Sequence, residues 1–101
     1  MSIVIFGGDH LGKIPALLET KGFQLIQHVS GRKKGELKSG IPQGVEAVLV
    51  LTDYLNHGLA LEVKAAAKAR GVHTLFVRRS WSSISQALET FQNTQAKGLL
   101  P

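Results

Sequence analysis

Four short apolar runs rich in β-branched and aromatic residues recur along this chain, with amphipathic stretches between them, and that alternation narrows the fold most. An uninterrupted apolar run suits a strand covered on both faces, and strands that alternate with helices pair in parallel through right-handed crossovers. Val45 to Leu51 is nearly continuous in apolar character, so it is predicted as a central strand closed by Thr52-Asp53. Ile3 to Phe6, ending in Gly7-Gly8, Phe23 to Val29, and Thr74 to Val77 supply the first, second and fourth strands.

Helical spacing fills the intervals. Leu11, Ile14, Leu17 and Leu18 share a face of a segment running to Lys21, with Pro15 near its start and Gly22 as its stop. Leu59, Val63, Ala66, Ala67 and Arg70 define a second helix stopped by Gly71, and Ile84, Ala87, Leu88 and Phe91 a last one. Ser30 to Gly35 reads as a basic loop, Glu36 to Ser39 as one helical turn, and Ser39 to Gly44 as a helix breaker. The predicted architecture is a single three-layer α/β domain, Rossmann-like or flavodoxin-like, with a four-stranded parallel sheet in the order 2-1-3-4. One domain spans residues 1–101, with an ordered core over about 2–92 and a frayed tail from Asn93.

Composition agrees with one globular core, because 101 residues leave no room for a second and the chain is 44% hydrophobic and 19% charged. No apolar stretch approaches the roughly 20 residues of a membrane-spanning helix, and no basic region precedes the apolar start, so a cytoplasmic protein is expected. The absence of cysteine excludes disulfides, thiolate metal sites and cysteine nucleophiles. A net charge of +5 favours anionic partners: nucleic acid, nucleotides or an anionic surface.

In a sheet of this order ligands bind beyond the carboxyl ends of the strands, at the switch point between the first and third. The loops placed there are Gly7 to Lys13, His28 to Lys34, Thr52 to His57 and Arg78 to Ser83. Lys13, Arg32, Lys33, Lys34, Lys38, Arg78 and Arg79 fall at or near that edge, whereas Lys21, Lys64, Lys68, Arg70 and Lys97 face elsewhere. The charge is therefore expected to be polarised toward the ligand edge.

Gly7-Gly8-Asp9-His10-Leu11-Gly12-Lys13 matches the spacing GxxxxGK of a phosphate-binding loop, in which backbone N–H groups wrap an anion and lysine neutralises it. Ile14 stands where that loop needs a magnesium-binding hydroxyl, and Pro15 removes an N–H, so a nucleoside triphosphatase is disfavoured despite Asp53 after the third strand. A glycine turn opening a helix remains an anion site on the strength of the helix dipole, and a simple turn is its competing account. Gly31-Arg32-Lys33 occupies the place where some dinucleotide enzymes hold a 2′-phosphate, which keeps an NADP-like ligand open.

Arg78-Arg79-Ser80-Trp81-Ser82-Ser83 is the second informative string. Its arginines are planar phosphate donors, Ser80 or Ser82 suits a helix N-cap, and Trp81 either stacks on a base or fills a core or subunit contact. His10, His28, Asp53 and His57 form an alternative set of metal ligands or acid–base groups, with Asp53 and His57 on one face if a helix begins early enough. A triad of Ser80, His57 and Asp53 has no nucleophile-elbow sequence behind it.

Gly7-Gly8, His28, Gly31, Asp53, His57 and Arg79-Ser80 together resemble an uncharacterised bacterial family, the domain-of-unknown-function family 2325, over about Ile3 to Leu88. The resemblance implies a small Rossmann-like domain with its site at the carboxyl edge and implies no activity. The Arg32-Lys33-Lys34 run and the lack of cysteine depart from that pattern and weaken a metal or thiol role.

The function expected from the sequence is a non-enzymatic binding or regulatory domain for a phosphate-bearing ligand, nucleic acid first or else a phosphorylated small molecule. Gly7, Gly8, Gly12 and Lys13 would cradle phosphate, Arg32, Lys33, Lys34, Arg78 and Arg79 would neutralise it, Ser80 would donate a hydrogen bond, and Asp53, His57 and Trp81 complete the candidate set. The rivals are a small nucleotide- or metal-dependent enzyme or sensor using Asp53, His57 and His10, and a homodimeric assembly module built on the short outer strands and Trp81.

Overall fold

The computed structural model describes residues 1–8, 10–30, 41–55 and 57–96. Along the chain come β1 (Ser2–Phe6), α1 (Ile14–Thr20), β2 (Gln24–Val29), β3 (Ala47–Leu51), a 3₁₀ turn (Thr52–Tyr54), α2 (His57–Ala69), β4 (His73–Val77) and α3 (Trp81–Ala96). Among the described residues the strands form one four-stranded parallel sheet in the order β2-β1-β3-β4, as the alternation predicts.

Side chains of a strand alternate between faces, so β1 and β3 can be apolar throughout only if both faces are covered. Ile3, Ile5, Ala47, Leu49 and Leu51 pack against Ile14 and Leu18 of α1 and Ile84, Leu88 and Phe91 of α3. Val4, Phe6, Val48 and Val50 pack on the other face against Val63 and Ala67 of α2. Every residue of β3 is fully excluded from solvent, and burial of each valine or leucine side chain stabilises by about 1.5–3 kcal/mol. The result is a three-layer domain.

β2 carries a register slip. Ile3 pairs with Leu25 but Val4 pairs with Gln27, so Ile26 is the extra residue, and it is left 45% exposed. A one-residue slip inverts which side chains face which layer. Leu25 therefore packs with the α1–α3 layer, while Val29 joins the α2 layer. The slip also sets His28, rather than Gln27, beside Ile5.

Several boundaries differ from the sequence expectation. Helix α1 begins at Ile14, not Leu11, because Gly12 turns through a positive φ of 55° and the Ile14 N–H closes that turn on the Leu11 carbonyl at 2.9 Å. Leu11 is buried all the same. Helix α3 continues past the expected fraying point to Ala96, with the Thr94 hydroxyl donating to the Thr90 carbonyl at 2.9 Å. Asp53 lies in the 3₁₀ turn and His57 opens α2, so the two do not share a face of one helix. The helical turn expected over 36–39 lies outside the described residues.

Candidate functional site

The carboxyl ends of the strands are joined by a chain of polar contacts. The Gly7 N–H donates to the Val29 carbonyl at 2.7 Å, fixing the end of β1 to the end of β2. His28 Nε2 lies 2.8 Å from the Gly7 carbonyl; a carbonyl only accepts, so Nε2 carries the proton and the ring braces the glycine turn. This use of His28 follows from the slip in β2, which sequence spacing does not reveal. On the other side, the Thr52 hydroxyl donates to the Val77 carbonyl at 3.2 Å, fixing β3 to β4.

Arg79 closes the set. Its backbone N–H donates to Asp53 Oδ1 at 2.9 Å, and its Nε donates to the His10 carbonyl at 3.0 Å, with Nη2 donating to the same oxygen. One half-buried arginine therefore holds the loop after β1 against the ends of β3 and β4. Gly8 is the point of closest approach: it is buried, its φ is +77°, and a Cβ built on it would stand 3.3 Å from Leu51 Cδ1 and 3.7 Å from Arg79 Cδ. A glycine is required here because the backbone is left-handed and the space is taken.

Gly7, Gly8, His10, His28, Asp53 and Arg79 thus meet along one rim, at the switch point between β1 and β3. Lys13 and Gly12 are exposed at the start of α1. Asp9, Arg32, Lys33, Lys34 and Lys38 lie outside the described residues, as does Gly31, so the expected polarisation of charge is visible here only through Lys13, Arg78 and Arg79.

The other expected site residues lie around this rim or away from it. Ser80 is the cap of α3: its Oγ accepts from the Ser83 N–H at 3.2 Å and donates to Ser83 Oγ at 3.0 Å, and the residue is exposed. Trp81 is half-buried and packs on the α1–α3 core. Exposed His57 lines an apolar groove with Leu55, Leu61 and Phe76 beside β4, and exposed Arg78 lines a shallow depression with Gln86 and Thr90 of α3. The dipole of α1 contributes little, since the helix has seven residues, Pro15 brings no N–H, and the Ile14 N–H is already used. The longer α3, of sixteen residues, begins two positions after Arg79, with Ser80 between them.

For the alternative metal set, no group of three His, Cys, Asp or Glu residues able to hold an ion occurs among the described residues. His28 Nε2 and Asp53 Oδ1 already serve the rim contacts.

The sheet order and this rim define a small Rossmann-like α/β domain with a glycine turn and a clamped arginine at its carboxyl edge. The chain belongs to a family described as an uncharacterized protein conserved in bacteria (DUF2325), whose model matches residues 2–91. That agrees with the resemblance carried by Gly7-Gly8, His28, Asp53 and Arg79-Ser80. No curated protein and no solved structure matches the chain. No helix among the described residues is long and apolar enough to cross a membrane.

Proposed function

We propose that this protein is a non-enzymatic binding domain that recognises a phosphate-bearing ligand at the carboxyl edge of its sheet, with nucleic acid as the first candidate and a phosphorylated small molecule as the second. The observation that carries this reading is the juxtaposition of the Arg79 guanidinium with the Gly8 turn at the switch point. A cation held beside the glycine turn presents its charge at the edge where a parallel sheet receives ligands. Exposed Lys13 at the start of α1 and exposed Arg78 at the end of β4 add positive charge to the same edge of the sheet. Ser80 and Trp81 contribute through the helix cap and core, and the basic Arg32-Lys33-Lys34 run adds charge by its place in the sequence.

Fluorescence anisotropy with labelled single- and double-stranded oligonucleotides over a salt series tests the reading. Phosphate neutralisation releases counterions, so affinity falls steeply with salt, and Lys13→Ala or Arg78→Ala each reduces the slope of log affinity against log salt by about 1. Both side chains are exposed, so neither change disturbs folding. Absence of binding at low salt rejects nucleic acid, and a thermal-shift series with mononucleotides and inorganic phosphate then decides the small-molecule version.

A further inference from the structure

The sheet order leaves β4 terminal, and among the described residues no strand pairs with its outer edge. Residues of a parallel strand turn their N–H and C=O groups alternately toward one neighbour and the other, so part of the β4 backbone is presented outward. Natural edges are usually blunted by lysine, proline or a bulge. The β4 segment, His73 to Val77, contains no lysine or proline and pairs with β3 without irregularity, whereas the opposite edge strand, β2, carries the slip at Ile26. Phe76 stands 45% exposed on β4, and Leu61 of α2 stands 57% exposed.

Between them lies a groove of about 350 Å³ lined by Leu55, Ala60, Leu61 and Phe76. Through Lys64 and Phe76 it joins a wider one of about 780 Å³ bordered by Lys68, Arg70 and His73. Lys64, Lys68 and Arg70 are exposed, and none has an ion-pair partner among the described residues, where Lys21 with Glu89 is the pair formed. Glu46 is the single acidic residue of the wider groove.

Three occupants compete for such an edge, and charge separates them. A second copy paired edge to edge about a two-fold axis would bring this cationic border toward its own copy, which opposes association. A nucleic-acid strand would find Phe76 as an exposed platform, with the His73 ring already against Phe91 at 5.2 Å, and would leave the outward backbone groups unused. An extended acidic peptide uses all three features at once: backbone groups from the edge, a pocket for alternate side chains, and cations for its carboxylates.

We propose that the β4 edge is a docking site for an extended acidic segment of a partner protein, which adds as a fifth strand. It seats an apolar side chain between Leu61 and Phe76 and sets its carboxylates against Lys64, Lys68 and Arg70. Thr52 and His57 border this groove at its end near the rim, but the proposed contacts share no residue with the contact between Gly8 and Arg79 and stand or fall independently of it.

The test uses a fluorescein-labelled peptide of alternating glutamate and valine, with anisotropy to follow binding and amide chemical shifts of the full chain to locate it. Saturable binding is expected, with shifts on β4 and α2 and none at Gly8. An alternating lysine and valine peptide does not bind, and Lys64→Glu with Lys68→Glu weakens the acidic peptide by about tenfold or more without lowering the melting temperature. Methylating alternate peptide nitrogens abolishes binding in one register and spares it in the other, which a merely electrostatic contact would not do. The proposal is overturned by absence of binding, by equal affinity for both peptides, by a sedimenting dimer that occupies the edge, or by an oligonucleotide that displaces the peptide from β4.

Discussion

Replacing Gly8 by alanine isolates the closest contact of the rim. Two costs add. The residue sits at φ +77°, and an L side chain in the left-handed region costs about 1 kcal/mol or somewhat more. The new Cβ also meets Leu51 Cδ1 at 3.3 Å, and Leu51 is fully buried in the α1–α3 core. Relief therefore needs a buried leucine side chain to give by a few tenths of an ångström, and the χ strain this puts on it costs about 0.5–1.5 kcal/mol. The expected destabilisation is about 2 kcal/mol. For a domain of this size each kcal/mol lowers the melting temperature by about 4–8 °C, so Gly8→Ala should lose about 8–16 °C.

Gly12→Ala is the matched control, because Gly12 has φ +55° and nothing within 4 Å of its added Cβ. It bears the backbone cost alone, about 1 kcal/mol and about 4–8 °C. Both variants are measured by thermal and urea unfolding followed by circular dichroism. Equal losses in the two would refute the reasoning, because the excess in Gly8→Ala comes from the space that Leu51 and Arg79 occupy. If the phosphate reading holds, Gly8→Ala also weakens oligonucleotide binding at temperatures where it remains folded.

Leu49→Ala, in the fully buried centre of β3, costs about 2–5 kcal/mol in urea unfolding; a loss below 1 kcal/mol would mean that β3 is not central. Ser80→Ala removes the cap bond to the Ser83 N–H and costs about 1 kcal/mol, while Ser80→Asp keeps it; equal melting temperatures for the two would remove the cap assignment. Asp53→Ala deletes the acceptor of the Arg79 N–H and costs about 1 kcal/mol, of which Asp53→Asn recovers most because an amide oxygen still accepts. Faster amide exchange at Arg79 in the alanine variant alone is the confirming measurement.

The fold was legible because its signals are local. Continuous burial of β3 is written in Ala47 to Leu51, and the helix stops are written in Gly22 and Gly71. The meeting of Gly8, Asp53 and Arg79 followed from the parallel topology, which sends every strand end to one edge. The roles of individual groups were not legible. That His28 braces Gly7 depends on one extra residue in β2, and a bulge leaves no mark in a short polar–apolar strand. Ser80 and Ser82 both suited the cap, and the contacts of Ser83 assign it to Ser80. The groove along β4 went unseen because Lys64, Lys68 and Arg70, spaced along one helix and its exit, read as a solvated face until the edge strand is placed beside them.

Arg79 sets the terms on which the rim can work. Its fork is anchored on a backbone carbonyl that belongs to the glycine loop, so its charge and the loop's shape are one unit. In the proposed function, a phosphate arriving at the rim competes with the His10 carbonyl for the Arg79 donors, and a charged phosphate oxygen is a stronger acceptor than a neutral carbonyl. Such contact would loosen the clip where the charge is neutralised, while the Arg79 backbone stays held by Asp53 at 2.9 Å. On the proposed reading, ligand capture and movement of the loop after β1 are a single event, and the strand ends on either side remain fixed by His28 and Thr52.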